Sequence, residues 1–125
     1  MLLATELRQA LGRDLDAQDR VNGDIVGIDF DPFLNSQDPD DRYQVGRATV
    51  NDGVCMADIY GLNEGKKRPK PDLVSELRFR DGRWLFTNFH YGKGQHGEDL
   101  NLVSTLEQLR RDREHYSGKA DKGSV

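Results

Sequence analysis

The chain has 125 residues, enough for one domain of ordinary size and too few for two with separate cores. Hydrophobic residues make up 35%, charged residues 32% and aromatics 8%, which leaves material for one compact core and argues against disorder throughout. A net charge of -4 argues against a phosphate-backbone binder, no run nears the roughly 18 apolar residues that span a bilayer, and the single cysteine, Cys55, allows neither an internal disulfide nor a multi-cysteine metal site.

Leu3, Leu7, Leu11 and Leu15 recur every four residues, with charged and polar residues elsewhere on the wheel, and predict an amphipathic helix over residues 2–17. Its start carries no Ser, Thr, Asp or Asn cap. The N-terminal stretch turns charged too early for a secretory signal. After a polar connector, Ile25, Val26, Ile28 and Phe30 read as a short strand that Asp31-Pro32 ends. The stretch up to Arg42 is a loop, and Phe30 and Phe33 are its expected anchors in the core.

Two hairpins follow. Tyr43 to Val50 and Val54 to Tyr60 flank Asn51-Asp52-Gly53, read as a three-residue loop, and Leu73 to Arg80 and Arg83 to Tyr91 flank the two-residue turn Asp81-Gly82. If Arg80 opposes Arg83, one face pairs Phe79 with Trp84, Leu77 with Phe86, Ser75 with Asn88 and Leu73 with His90. The other pairs Arg78 with Leu85, Glu76 with Thr87 and Val74 with Phe89. Leu77, Phe79, Trp84 and Phe86 are therefore expected to be largely buried under the helices. Residues 63–72 form a polar loop carrying Lys66, Lys67, Arg68 and Lys70, a solvated run or a contact for an acidic partner or for the chain's own Asp38 to Asp41 loop. A second amphipathic helix is expected from about Asp99 to His115, with Leu102, Val103, Leu106 and Leu109 on its apolar stripe. The expected organisation is one domain over residues 1–116 and a flexible tail over 117–125.

Residues 25–46, residues 71–91 and the closing LVSTLEQLRRDREH resemble a bacterial family known as domain of unknown function 3828. The resemblance implies a small α+β domain of the nuclear transport factor 2-like, or cystatin-like, type: a curled antiparallel sheet of four or five strands packed against an N-terminal and a C-terminal helix, with a pocket between them. It brings no activity. It implies export to the periplasm or anchoring in the cell envelope, whereas a chain complete as given, without a signal peptide, would be cytoplasmic. Relatives normally carry a further helix ahead of the first one here. Without it, apolar surface around Trp84 and Phe86 would lie open, and a homodimer is expected to cover it.

Gly92-Lys93-Gly94-Gln95-His96-Gly97 matches G-x-G-x-x-G between a strand and a helix, but neither a parallel return strand nor a following acidic residue completes a dinucleotide site, so it reads as a turn. Asp29, Asp31, Asn35, Asp38, Asp40 and Asp41 crowd one loop, yet EF-hand spacing from Asp29 puts Phe33 and Leu34 at ligand and glycine positions, which favours backbone-capping turns over a calcium site. The histidines show no zinc spacing, Cys55 reads as a buried small residue, and no G-x-S-x-G elbow is present. No catalytic, cofactor-binding or metal residue is assigned. The register instead gathers a candidate cleft of Ser75, Trp84, Phe86, Asn88 and His90. The leading expectation is a non-enzymatic domain of the bacterial envelope that binds a small molecule or a protein, with no nucleic acid and no cofactor. The alternatives are a small hydrolase or isomerase with His90 as general base, and an immunity or inhibitor protein.

Overall fold

The computed structural model describes residues 2–21, 26–36, 40 and 42–123, with side chains as far as His115. Its fold is α+β: an open antiparallel sheet with one helix before it and one after. Helix α1 spans Thr5–Asp19, strands β1 Arg42–Asn51, β2 Val54–Asn63, β3 Lys66–Lys67, β4 Leu73–Arg80, β5 Arg83–Lys93 and β6 Asp99–Asn101 follow, and helix α2 runs over Leu102–Gly123. The sheet order is β1-β2-β4-β5-β6, with β3 paired to the end of β2.

Helix α1 starts later than the leucine spacing predicts because residues 2–4 are drawn to the sheet. The Phe86 amide donates to the Leu2 carbonyl at 2.9 Å and the Ala4 amide to the Phe86 carbonyl at 2.8 Å, so Leu3 bridges β5 in parallel. Ala4, extended at φ -60° and ψ 146°, is the cap residue and offers no side-chain acceptor. Leu7 is buried, but Leu15 is 62% exposed, and the buried residue on that turn is Asp14.

The strand expected over Ile25 to Phe30 does not form among its described residues. Its amides go to helix side chains instead: Val26 and Gly27 donate to Gln18 Oε1, both at 2.9 Å, and Ile28 donates to Asp14 Oδ2 at 2.9 Å. A segment whose amides are satisfied this way needs no strand partner. Beyond it, Asp31 Oδ1 accepts from the amides of Phe33 and Leu34, the side-chain-capped turn expected of this loop. Phe33 meets Phe89 and Phe30 meets Tyr91 edge to face, at 5.3 and 5.5 Å between ring centres, which anchors the loop as expected.

Three strand connections are two-residue turns with both residues at positive φ. Asn51 pairs with Val54 across Asp52 and Gly53 (φ 50° and 75°), so the first loop is one residue shorter than expected; Glu64-Gly65 and Asp81-Gly82 match it. This left-handed geometry follows the twist of the flanking strands and favours glycine at the second position. Glu64-Gly65 makes a third hairpin inside the stretch read as a loop. The second helix starts at Leu102 after the short β6 and continues past His115 to Gly123, through the stretch from 117 read as a tail; no proline interrupts it there.

In the β4–β5 hairpin, Phe79 opposes Trp84 and Leu77 opposes Phe86, as the turn predicts. A bulge at Thr87 then shifts the register by one, so Glu76 opposes Asn88, Ser75 opposes Phe89 and Val74 opposes His90. The core gathers Leu7, Leu73, Phe89, Leu102 and Leu106, with Phe33, Ile59 and Phe86 packed against it. Each such side chain removed from water contributes roughly 1.5–3 kcal/mol.

Candidate functional site

The paired residues form rows across one face of the sheet: Val45, Ile59 and Leu73; Ala48, Ala57, Ser75 and Phe89; Val50, Cys55, Leu77 and Phe86; then Phe79 with Trp84. None of these side chains is charged. The helices cover only the part of the face around Leu73 and Phe89, where Leu7, Leu102 and Leu106 seal it. Elsewhere Val45 is 62%, Val50 60%, Phe79 52% and Trp84 38% exposed. This corrects the expectation that Phe79 and Trp84 are buried: the helices stop short of the hairpin end, and the two rings rest against each other at 5.4 Å. Leu77 and Phe86 are half-buried, as is Cys55, which was expected inside.

The candidate cleft does not assemble as one site. Ser75 is buried on the core face and donates to the Ala57 carbonyl at 3.4 Å, in the row of Phe89, while Trp84 and Phe86 lie further along that face. The bulge at Thr87 puts Asn88 and His90 opposite Glu76 and Val74, in rows of the other face. A one-residue slip reverses every side chain beyond it, and no turn residue announces this one.

On that other face the polar groups form one network. His90 Nε2 lies 3.1 Å from Glu76 Oε1 and Nδ1 lies 3.4 Å from Asp99 Oδ2. Carboxylates only accept, so a neutral ring serves one of them and an imidazolium serves both. Thr87 Oγ1 donates to Glu76 Oε2 at 2.6 Å, and Arg78 Nε lies 3.4 Å from the same oxygen. Burial pushes the Glu76 carboxyl up, but the hydrogen bonds from Thr87 and His90 and the Arg78 charge outweigh it and hold the group below the ordinary carboxylate value. Asn101 Nδ2 reaches Asp99, and Asn101 Oδ1 accepts from Asn88 Nδ2 at 3.1 Å and from the Ser104 amide at 2.8 Å. Asn88 Oδ1 accepts from the Val103 amide at 3.0 Å. Asn88 and Asn101 thus cap α2 together, and the strand face is tied to the start of that helix. Among the described residues the side-chain polar atoms buried from water all have partners.

The glycine motif is the β5–β6 turn. It does not lead directly into a helix: Gly94 donates to the Glu98 carbonyl, Gly97 to the Gly94 carbonyl, and the His96 amide to the Glu98 carboxylate at 2.9 Å. The amides that would cradle a phosphate serve the turn itself. In the acidic loop, Asp40 takes a two-pronged bond from Arg68, at 2.8 Å from Nη2 and 3.2 Å from Nε, and Asn35 Nδ2 donates to the Asp72 carbonyl. The basic run therefore meets the chain's own acidic loop at Asp40, while Asp38 and Asp41 lie outside the described residues. Lys67 stands 4.0 Å over the Tyr60 ring. Among the described residues, no three His, Cys, Asp or Glu side chains gather as a metal site.

A groove of about 270 Å³ lies between α1 and α2, floored by Leu7, Ala10, Val103 and Leu106. No sequence signal marks it, because it depends on how far apart the two helices sit. No described helix is long and apolar enough to cross a membrane. Comparison with family models, curated proteins and solved structures finds no match to this chain.

Proposed function

We propose that the chain is a non-enzymatic protein-interaction domain that pairs with a second copy of itself through the uncovered part of its sheet face. The observation that carries this reading is the charge-free strip of Val45, Val50, Phe79 and Trp84, left in water by two helices that cover only half the face. Together these residues expose on the order of 400 Å², the size of the largest apolar patch on a typical soluble protein, which is often functional. Two copies face to face remove about twice that, and a polar rim of similar extent around the strip would bring the total to the roughly 1,200–2,000 Å² of a stable interface. A face without charges meets its own copy about a twofold axis with no like-charge repulsion, and interface cores are depleted of charge in the same way.

The His90 network favours this reading over the hydrolase or isomerase. A general base needs a ring nitrogen free to take a proton, whereas both nitrogens of His90 face carboxylates. The resemblance of residues 25–46 and 71–91 is what supports placing such a domain in the bacterial envelope.

Trp84 is the single tryptophan and lies in the strip, so its fluorescence reports occupancy directly. Light scattering from micromolar to hundreds of micromolar should give twice the 14.2 kDa chain mass. Dilution should shift Trp84 emission to the red, and Val50→Glu should give a folded monomer with red-shifted emission throughout. A strictly monomeric wild type over that range overturns the self-pairing.

A further inference from the structure

Besides the sheet face, the structure offers a second apolar concavity with a charge balance of its own. The groove between α1 and α2 is lined by Leu7, Ala10, Val103 and Leu106 with Thr87 among them, and Val103 remains 46% exposed. At its mouth stand two acids and three arginines, and all but one of these are matched. Glu6 pairs with Arg80, Glu107 with Arg110 and Arg111, and Arg113 with Asp14. Arg13, on the exposed side of α1, has no hydrogen bond or ion pair among the described residues. A single unmatched guanidinium at the rim of a largely apolar groove is complementary to one anionic head on one apolar tail.

We propose that this groove binds a single-chain amphiphile carrying one carboxylate, with the chain along Leu7, Ala10, Val103 and Leu106 and the head on Arg13. The volume lies just below the roughly 300–1,000 Å³ typical of small-molecule sites, which suits one short unbranched chain better than a bulkier ligand. Arginine suits the head because its planar fork gives a carboxylate two parallel hydrogen bonds. The site is separate from the sheet face and does not depend on self-pairing.

The test is a titration with decanoate, with decanol and decyltrimethylammonium as controls, followed by methyl resonances of Leu7, Val103 and Leu106 and by the melting temperature. Decanoate should shift those methyls saturably and raise the melting temperature, while the alcohol binds about tenfold more weakly and the cation more weakly still. Arg13→Gln should bring decanoate down to the level of decanol and leave decanol unchanged, and Arg13→Lys should restore part of the difference. Arg13 is exposed, so these variants fold normally. The monomeric Val50→Glu variant should bind decanoate as the wild type does, which separates failure of this site from failure of the interface. No saturable shift, equal affinity for acid and alcohol, indifference to Arg13→Gln, or shifts concentrated at Val50 and Trp84 would each overturn the proposal. Stronger binding of a short peptide ending in leucine would replace the amphiphile with a peptide carboxylate and overturn it as stated.

Discussion

Asp14 Oδ1 and Arg113 Nη1 lie 2.9 Å apart although 99 residues separate them, and Asp14 is only 3% exposed. The pair closes a four-way junction. Asp14 Oδ2 accepts from the Ile28 amide at 2.9 Å, Arg113 donates to the Val26 carbonyl at 3.0 Å, and the two residues belong to α1 and α2. One carboxylate therefore holds both helices and the segment that replaces the expected strand. Asp14→Ala should cost about 3–5 kcal/mol, because it strands the Arg113 charge and the Ile28 amide together. Urea denaturation of Asp14→Ala, Arg113→Ala and the double variant should show strong non-additivity. A loss below about 1 kcal/mol for Asp14→Ala would contradict a buried, paired carboxylate.

Truncation of aromatic residues should separate the covered from the bare part of the sheet. Phe89 lies in the sealed core, and Phe89→Ala should cost about 3–5 kcal/mol. Trp84 is partly in water already and packs on Phe79 alone among the rings, so Trp84→Ala measured on the monomer should cost less than about 1.5 kcal/mol. The same variant should weaken self-association far more than it weakens the fold. Equal losses at both positions in denaturation of dilute protein would place Trp84 in the core.

The difference between these two aromatics marks where the sequence is readable. Asp81-Gly82 sets the register as far as Leu77 and Phe86, because the turn decides local pairing and the apolar alternation agrees with it. Beyond that, Thr87 enters the strand as an extra residue, and a bulge made of an ordinary β-branched residue carries no sequence mark. For this reason the turn-set register puts His90 on the face of Trp84, and nothing in the sequence marks Glu76 and Asp99 as its carboxylate neighbours. Val26 and Ile28 are strand-prone in composition, but the acceptors that satisfy their segment are Gln18 and Asp14, which only the tertiary structure brings there. Local propensity reads hairpins well, whereas helix placement over the sheet, and with it both the bare face and the groove, is a tertiary property.

The shared cap of α2 predicts coupling between strand and helix. Asn101→Ala removes the acceptor for the Ser104 amide and frees Asn88 Nδ2, and it should cost about 1–2 kcal/mol. Asn88→Ala should cost a similar amount through the Val103 amide. The double variant should lose less than the sum, since the two side chains bond each other. Amide hydrogen exchange should rise first at Val103 and Ser104, and strictly additive losses would show that the two caps act separately.

The Glu76 network predicts a pH dependence with a definite sign. Although burial raises this carboxyl, Thr87, His90 and Arg78 together hold it below the ordinary value of 4.5. An unfolded chain lacks those partners, so below 4.5 it binds the proton that the folded chain still refuses. The stabilisation is therefore fully present above about pH 4.5 and is lost as pH falls through the lower folded value. Glu76→Gln keeps the shape but cannot ionise, and its stability should fall less steeply than that of the wild type across this window. Arg78 is half exposed, so its part of the effect should shrink in high salt, whereas the parts from Thr87 and His90 should persist. Parallel urea titrations of the two proteins on either side of pH 4.5 measure the difference, and identical slopes would remove Glu76 from the groups that stabilise the fold through ionisation.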